Sequence, residues 1–394
     1  MIDTDILIAG AGPAGLSAAC ALGAEGHRVT LVDPAPPITG EDDPGADLRT
    51  TALLQPARDL LDRAGAWAGL APHATDLHVM RIVDAAGPAP VSRDFAASDM
   101  GDLPFGWNVP NWLLRRELLA RVNALETVET RFGTAVSRLM ARDAHARVTL
   151  ADGTRLQADL VIACDGRDSP LRRMAGIPAR TVDYGQTAIV FAVAHDRPHE
   201  DVSIEIHRTG GPFTLVPLPD ADGTPRSAVV WMDEAADQAR RMALPDEAFQ
   251  AEADDRSAQA LGPLRLVSRR AAWPILSRRA SRMTARRLAL AAEAAHAMPP
   301  IGAQGLNTSL KDIAALRDLA VKHPLGSPQM LDAYASVREA DVALRMTGID
   351  LLNRVSMAGA GAVQALRGTG IAALHDIAPI RQMAMRLGLG AAPI

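Results

Sequence analysis

The sequence predicts an α/β fold: a parallel-sheet domain interleaved with a mostly antiparallel β-sheet domain, with helices at the C-terminal end. Three observations predict it. Residues 5–9 and 29–33 are short apolar runs separated by a small-residue helical stretch, the pattern of a buried parallel β–α–β unit. Residues from about 180 to 275 alternate strand-like runs (Thr187 to Ala194, Ser203 to His207, Ala228 to Met232) with polar turns, which suits an antiparallel sheet. From Tyr334 onward the pattern is almost entirely helical.

The first unit carries a fingerprint. Gly10-Ala-Gly12-Pro-Ala-Gly15 follows the strand directly and opens the helix, and the second strand ends in Asp33. In that strand–turn–helix–strand context Gly10 permits the tight turn, Gly12 lets backbone approach a pyrophosphate, and Gly15 allows close helix–strand packing. The pyrophosphate would sit on the helix N-terminus, with Asp33 placed for a ribose diol. This is a Rossmann-type dinucleotide site.

The remaining elements are read in order. A Pro/Gly/Asp-rich loop, Pro34 to Asp47, leads into Asp47-Leu-Arg49 and an amphipathic helix through Leu60, Leu61 and Trp67. Residues 76–104 read as short strands and turns, and Asn111 with Leu114 and Leu118 opens a helix. Val148 to Leu150, the Ala151-Asp-Gly153 turn and Ala158 to Cys164 read as a hairpin running into a buried strand. The expected division is therefore discontinuous. Residues 1–75, 105–178 and 278–333 form the nucleotide-binding domain, 76–104 and 179–277 a substrate domain, and 334–394 a C-terminal helical region.

Length and composition set bounds. A chain of 394 residues predicts two or three cores. A net charge of −5 argues against nucleic-acid binding through a basic field. The two cysteines, Cys20 and Cys164, both read as buried and support neither a disulfide framework nor a metal site. No run of about 18 apolar residues predicts a transmembrane helix. The chain opens on a strand without a basic, apolar leader, so a cytoplasmic location is expected.

The most informative stretch runs from Ala292 to Asp312: Ala292-Glu293-Ala-Ala-His296, a Pro299-Pro300 corner, the small-residue loop Gly302-Ala303-Gln304-Gly305, then Leu306-Asn307 and a helical pattern. Such a loop lets bare backbone N–H groups approach an electron-rich ligand. It resembles the second flavin-binding motif of the single-component FAD-dependent aromatic hydroxylases, the para-hydroxybenzoate hydroxylase-like family. It departs from that motif in Ala292-Glu293 for Gly-Asp and in Ala303 for the first Gly of Gly-Gln-Gly. Asp165-Gly166, with Ser169, Arg172 and Gly176-Ile177, resembles the family's Asp-Gly motif. Asp47-x-Arg49 and Asn111 match further family positions, and the tail from Tyr334 to Leu389 resembles the ubiquinone-biosynthesis ring hydroxylase branch.

The resemblance implies FAD held by Gly10, Gly12, Gly15, Asp33, Arg49, Asn111, Asp165, Glu293, Gly305, Leu306 and Asn307. It implies NADH or NADPH as reductant, without a second nucleotide domain, and no metal. A reduced flavin that traps O2 as a C4a-hydroperoxide would hydroxylate the ring of a polyprenylated phenol. The cofactor carries that chemistry, so the residues assigned to catalysis, Arg49 and Pro300, place flavin and substrate and are not nucleophiles. His296 is read as structural, and the pairs Arg269-Arg270, Arg278-Arg279 and Arg286-Arg287 as solvated loop charges. Two alternatives stay open: a hydroxylase of a water-soluble phenol, and a flavin-poor, non-catalytic member of a quinone-biosynthesis complex. A lipid substrate also implies peripheral contact at the inner face of the membrane. From Arg345 to Ile394 the charged residues are Arg345, Arg354, Arg367, Arg381 and Arg386 against Asp350 and Asp376, beside the apolar Ile349, Leu351, Leu352, Ile371 and Leu374.

Overall fold

The computed structural model describes residues 2–85, 90–208 and 210–357. Strand Ile2–Ala9 lies at the centre of the first sheet, parallel to Val29–Asp33 on one side and to Arg155–Ala163 on the other. Val128–Phe132 extends the sheet in parallel beyond Val29–Asp33. Arg155–Ala163 shares its outer edge between two neighbours: antiparallel Ala146–Leu150 along its first half and parallel Leu288–Leu290 along its second. Helix Pro13–Ala24 is buried along most of its length, which is why it carries small apolar residues all round and no polar stripe. It packs against both Asn111–Asn123 and Gln304–Lys322.

The second sheet is antiparallel except for one pair. Its path runs from His296–Ala297 through Ala271–Ala280, Ala179–His195, Thr224–Glu234, Pro212–Ala221, Val202–His207 and Val79–Asp84 to Val91–Ala96. Val79–Asp84 and Val202–His207 are the parallel pair, so the excursion at residues 76–104 completes a sheet otherwise built much later in the chain. One face buries Ile189, Phe191, Ile204, Ile206, Phe213, Leu215 and Trp231 under Phe249. Phe191 and Phe249 meet edge to face at 4.9 Å. The other face meets the first domain in two patches. Ala188, Met232 and Ile275 pack with Ile301 and Ile349, and Met80 and Val216 pack with Leu54 and Phe105. A small sheet of Thr50–Leu54, Gly106–Pro110 and Thr75–Leu77 joins the two domains.

Several expectations change. Two helices, Ala235–Met242 and Asp246–Arg256, occupy a region read as strands and turns. Asp246–Arg256 buries only Phe249, Ala253 and Arg256, and two apolar inward positions are too few for a clear 3.6-residue signal. Ala271–Ala280 runs through residue 278, so the sheet continues slightly past its expected end. Cys164 is only partly buried, because it ends its strand beneath the glycine loop. Three of the paired arginines are anchored rather than solvated. Arg270 donates to the Arg241 and Leu244 carbonyls, Arg278 pairs with Asp168, and Arg287 donates to Leu325 O, while Arg269 is exposed and donates to the Asp43 and Ala46 carbonyls. The helix Pro328–Met357 begins the tail. The expected features beyond it, including Gly359 to Gly361, Arg367, Ile371, Leu374, Arg381 and Arg386, lie outside the described residues. Among the described residues no helix is long and apolar enough to cross a membrane, and no cluster of side chains could hold a metal ion.

One buried carboxylate ties these parts together. Asp312, on helix Gln304–Lys322, is fully buried. Its Oδ2 accepts from Ala292 N at 2.9 Å and from His296 Nε2 at 2.7 Å, and its Oδ1 accepts from Arg338 Nε at 2.8 Å. Burial pushes the Asp312 carboxyl up, but His296, Arg338 and the Ala292 N–H outweigh it and hold the folded pKa below its ordinary value. His296 therefore occupies a structural position.

A group depressed in this way contributes its full stabilisation above the unfolded carboxylate pKa of about 4 and loses it as pH falls through the lower folded value. Asp312→Asn leaves the Arg338 guanidinium buried beside a neutral amide and should cost about 3–5 kcal/mol. Urea unfolding at neutral pH measures the loss. The same titration repeated into acid should show a shallower pH dependence for the variant than for the parent protein.

Candidate functional site

The three glycines of the first motif do different work. Gly10 has φ +103°, and a Cβ there would stand 2.2 Å from the Cys164 carbonyl oxygen. A Cβ on Gly15 would stand 1.8 Å from the Gly10 carbonyl oxygen, so helix and loop touch through bare backbone. At Gly12 an added Cβ meets no protein atom within 4 Å. Gly12 is also the N-cap of Pro13–Ala24 and supplies no capping side chain, so the space and the helix-end N–H groups face a ligand. Asp33 shapes the same loop: Oδ2 accepts from Ala11 N at 2.7 Å and Oδ1 from Ala35 N at 2.9 Å. Each oxygen keeps a lone pair for a diol.

The second motif is built on two left-handed residues. Ala292 and Ala303 both have φ +56°, and these are the two alanines that stand where the family motif has Gly. Left-handed backbone costs a residue with a Cβ about 1–2 kcal/mol, so the departures are strain as well as a closer Cβ. Gly302 at φ +62° and Ala303 turn the chain into helix Gln304–Lys322, whose N-cap offers no side-chain bond. Gly305 and Leu306 lie in that uncapped first turn, with backbone N–H groups available to an anion. Asn307 is placed differently from expectation. Its Oδ1 accepts from Leu54 N at 2.9 Å, and its Nδ2 donates to the Ala52 and Ala303 carbonyls, each at 2.7 Å. The side chain clips the helix to strand Thr50–Leu54, which leaves only its backbone for a ligand. Pro300 is exposed at the corner while Pro299 is buried. Glu293 is 46% exposed and lies 3.7 Å from Arg167.

Asp165 faces the same region from the strand end. Its Oδ2 accepts from Leu171 N at 3.0 Å, while Oδ1 is buried without a hydrogen-bond partner among the described residues. Burial pushes its carboxyl up, only partly offset by Ser169 and the Leu171 N–H. Arg172, which begins its helix above the Ser169 cap, is buried and donates Nη1 to Ala294 O at 2.8 Å, locking the Asp165 loop to the second motif. Sequence reasoning used Arg172 only as a spacing marker.

Arg49 and Asn111 meet at a residue given little weight in the sequence, Asp47. The buried Asp47 carboxylate receives Arg49 through Nε at 2.8 Å and Nη2 at 2.7 Å, Asn111 Nδ2 at 3.1 Å, and Arg115 at 3.6 Å. Burial raises the Asp47 pKa, but Arg49 and Asn111 outweigh it and keep the group ionised. Asn111 Oδ1 accepts from Thr51 at 2.8 Å, so this side chain braces the network. The Arg49 guanidinium also stacks 4.4 Å above the Trp273 ring, a contact from the second sheet. The buried Asp in an Asp-x-Arg pair was the available signal for this network; the Trp273 contact had none.

A space that a Cβ would fill, an unpartnered carboxylate oxygen and two uncapped helix N-termini suit a dinucleotide with an electron-rich ring. The FAD binding domain family model matches residues 3–347, and the chain belongs to that family. The curated protein named ubiquinone hydroxylase UbiL, from Rhodospirillum rubrum, is 34% identical over 98% of this chain and 89% of its own length. The 3-demethoxyubiquinol 3-hydroxylase of Escherichia coli is 26% identical over 98% of each. The crystal structure of p-nitrophenol 4-monooxygenase PnpA from Pseudomonas putida covers the whole of both chains with a TM-score of 0.80 at 19% identity, a likeness of fold. The protein is a flavoprotein monooxygenase with the fold of the aromatic hydroxylases, and FAD is its cofactor.

The glycine geometry separates folding from binding. Gly12→Val should give folded protein whose FAD affinity falls at least about tenfold, roughly 1.4 kcal/mol, whereas Gly15→Ala should fail to fold. Ala303→Gly and Ala292→Gly should each relieve up to about 1 kcal/mol of strain, reduced by the extra freedom of glycine in the unfolded chain. Flavin titration and urea melts of the four variants measure both effects; an unchanged FAD affinity in Gly12→Val would remove the pyrophosphate from this loop.

Proposed function

We infer that this protein is an FAD-dependent monooxygenase that hydroxylates the aromatic ring of a polyprenylated phenol in ubiquinone biosynthesis, using NADH or NADPH and O2. The observation that carries the reading is a convergence. The glycine loop lies against the Asp165 strand end through Gly10, Arg172 ties that strand end to the second motif at Ala294, and Ile301, just before the uncapped Gly305-Leu306 turn, packs on the second sheet. The names of the relatives add the pathway.

The residues proposed to hold the flavin are Gly10, Gly12, Gly15 and Asp33 for the nucleotide half. Arg49, Asn111, Asp165, Glu293, Gly305, Leu306 and Asn307 lie toward the ring half, Asn111 and Asn307 as braces of the loops that touch it. When bound, FAD supplies the redox chemistry, accepting a hydride and activating oxygen. Gly305 and Leu306 present N–H dipoles where negative charge develops on the ring. Arg49, fixed by Asp47 and stacked on Trp273, places a cation beside the cofactor without consuming conformational entropy at each turnover. Pro300 forms a rigid wall toward the substrate.

A prenyl tail requires a route from the bilayer. From residue 345 onward the two arginines among the described residues are paired, Arg345 with Asp341 at 3.0 Å and Arg354 with Asp350 at 2.9 Å, so they add little free positive field. Support for peripheral membrane contact comes instead from Leu344, Leu351 and Leu352, which are 66, 62 and 52% exposed on helix Pro328–Met357. Leu344 and Leu351 stand two turns apart on one face.

Purified protein should be yellow and should consume NADH or NADPH with formation of a ring-hydroxylated product. Deleting the gene should make a polyprenylated precursor lacking one ring oxygen accumulate, seen by mass spectrometry of the quinone fraction. An unchanged quinone profile would refute the pathway assignment. Leu344→Glu with Leu351→Glu should reduce flotation with liposomes severalfold while leaving turnover of a short-tailed phenol intact.

A further inference from the structure

Side chains alternate across a strand, so Ser203, Glu205 and His207 share one face of Val202–His207, opposite to the core residues Ile204 and Ile206. The register partners on that face are Met80, Ile82 and Asp84 in the parallel strand, with Thr214 beside Glu205 in the antiparallel one. Met80, and Val216 two residues beyond Thr214, pack with Leu54 and Phe105. Leu54 is the residue whose N–H is clipped by Asn307 of the flavin motif. The Glu205–His207 face therefore looks toward the flavin-binding strands.

Glu205 and His207 are 7% and 6% exposed, and Glu205 Oε1 lies 2.8 Å from His207 Nε2. His207 Nδ1 is buried as well and has no hydrogen-bond partner among the described residues. A buried polar nitrogen left unpaired costs about 1–3 kcal/mol, and a stable core position would be expected to satisfy it. An ionised Glu205 accepts from Nε2–H, which fixes the imidazole tautomer and leaves the Nδ1 lone pair as an acceptor. A carboxylate that sets the tautomer of an imidazole, whose other nitrogen is free to accept, is the arrangement of an oriented general base.

We propose that His207 is the catalytic base that takes the hydroxyl proton of the phenolic substrate, and that Glu205 is its positioning residue. The phenol O–H bond breaks as the Nδ1–H bond forms, giving a phenolate and an imidazolium paired with Glu205. The electron pair left on oxygen raises the nucleophilicity of the ring carbon that is hydroxylated. As the ring carbon takes an oxygen atom derived from O2 and loses its C–H proton to water, the proton on Nδ1 returns to the substrate oxygen and the ring is again aromatic. The charged groups on the same face are Asp84, opposite His207, and Arg93, opposite Ile82 one strand further out. The proposal rests on the phenol-hydroxylating reading above.

The test uses full-length, FAD-loaded His207→Gln and Glu205→Gln with 2-geranylphenol as the probe. Both variants should retain FAD and accept electrons from the nicotinamide, while product formed per reductant consumed falls about 100-fold in His207→Gln. Glu205→Gln should fall less and should shift the acid limb of the kcat/KM profile, a change that a purely structural role would not produce. Ultraviolet difference spectra should show the probe bound as phenolate in the parent protein and as neutral phenol in His207→Gln. Should His207→Gln lose its flavin, the Glu205→Gln profile and spectrum carry the same test. Full hydroxylation by His207→Gln, or equal ionisation of the bound probe in both proteins, would overturn the proposal alone. No product from the parent protein with any phenol would overturn the functional reading, and the proposal with it.

Discussion

The flavin site depends on the placement of one carboxylate. Asp312 sits within the helix that begins at the flavin loop, yet its oxygens reach back to the Ala292 backbone and His296 and forward to Arg338 on the next helix. The loop between His296 and Gln304 is therefore fixed at both ends against the same side chain. Without that fixture the Pro299-Pro300 corner and the helix N-terminus would be free to move relative to the Asp165 strand. A guanidinium, an imidazole and a backbone N–H surround a fully buried acid, and such a group is stable only while all of its bonds are made. The price of this rigidity is sensitivity to any change among Asp312, His296 and Arg338.

The same loop stores strain. Ala292 and Ala303 adopt a conformation that glycine takes freely, and they do so at the two turns that open and close the second motif's loop. Ala292 can remain there because its N–H is held by Asp312; Ala303 because its carbonyl receives Asn307 Nδ2. Hydrogen bonds fixed elsewhere in the structure thus hold residues whose own preferences point away from the native turn.

Much of the fold was legible because its signals are local. Gly10, Gly12, Gly15 and Asp33 declare a turn whose geometry tolerates few substitutes, and the apolar runs on either side read as buried strands. The interleaving of the two domains became legible through motif order rather than periodicity. What could not be read were bonds between distant segments. Asn307 reads as a cofactor ligand, yet its amide group serves strand Thr50–Leu54. Arg270 and Arg287 read as solvated charges because nothing local announces the carbonyls they reach. The stack of Arg49 on Trp273 joins residues from different domains. Glu205 and His207 looked like alternate members of an ordinary strand, and only burial and the orphaned nitrogen single them out.

The parallel pairing of Val79–Asp84 with Val202–His207 also governs how the chain must be made. During synthesis the first strand emerges long before its partner, and it can pair early only with its hairpin neighbour Val91–Ala96. Its other edge stays open while the intervening residues leave the ribosome, a template for pairing with another copy. The hairpin is protected by its charges: Arg81 and Asp94 form an exposed pair across it, and Arg93 lies alongside. Neither domain can be cut out as a continuous gene segment, and the second sheet is a late product of translation whose open edge is guarded in the interval by a few polar side chains.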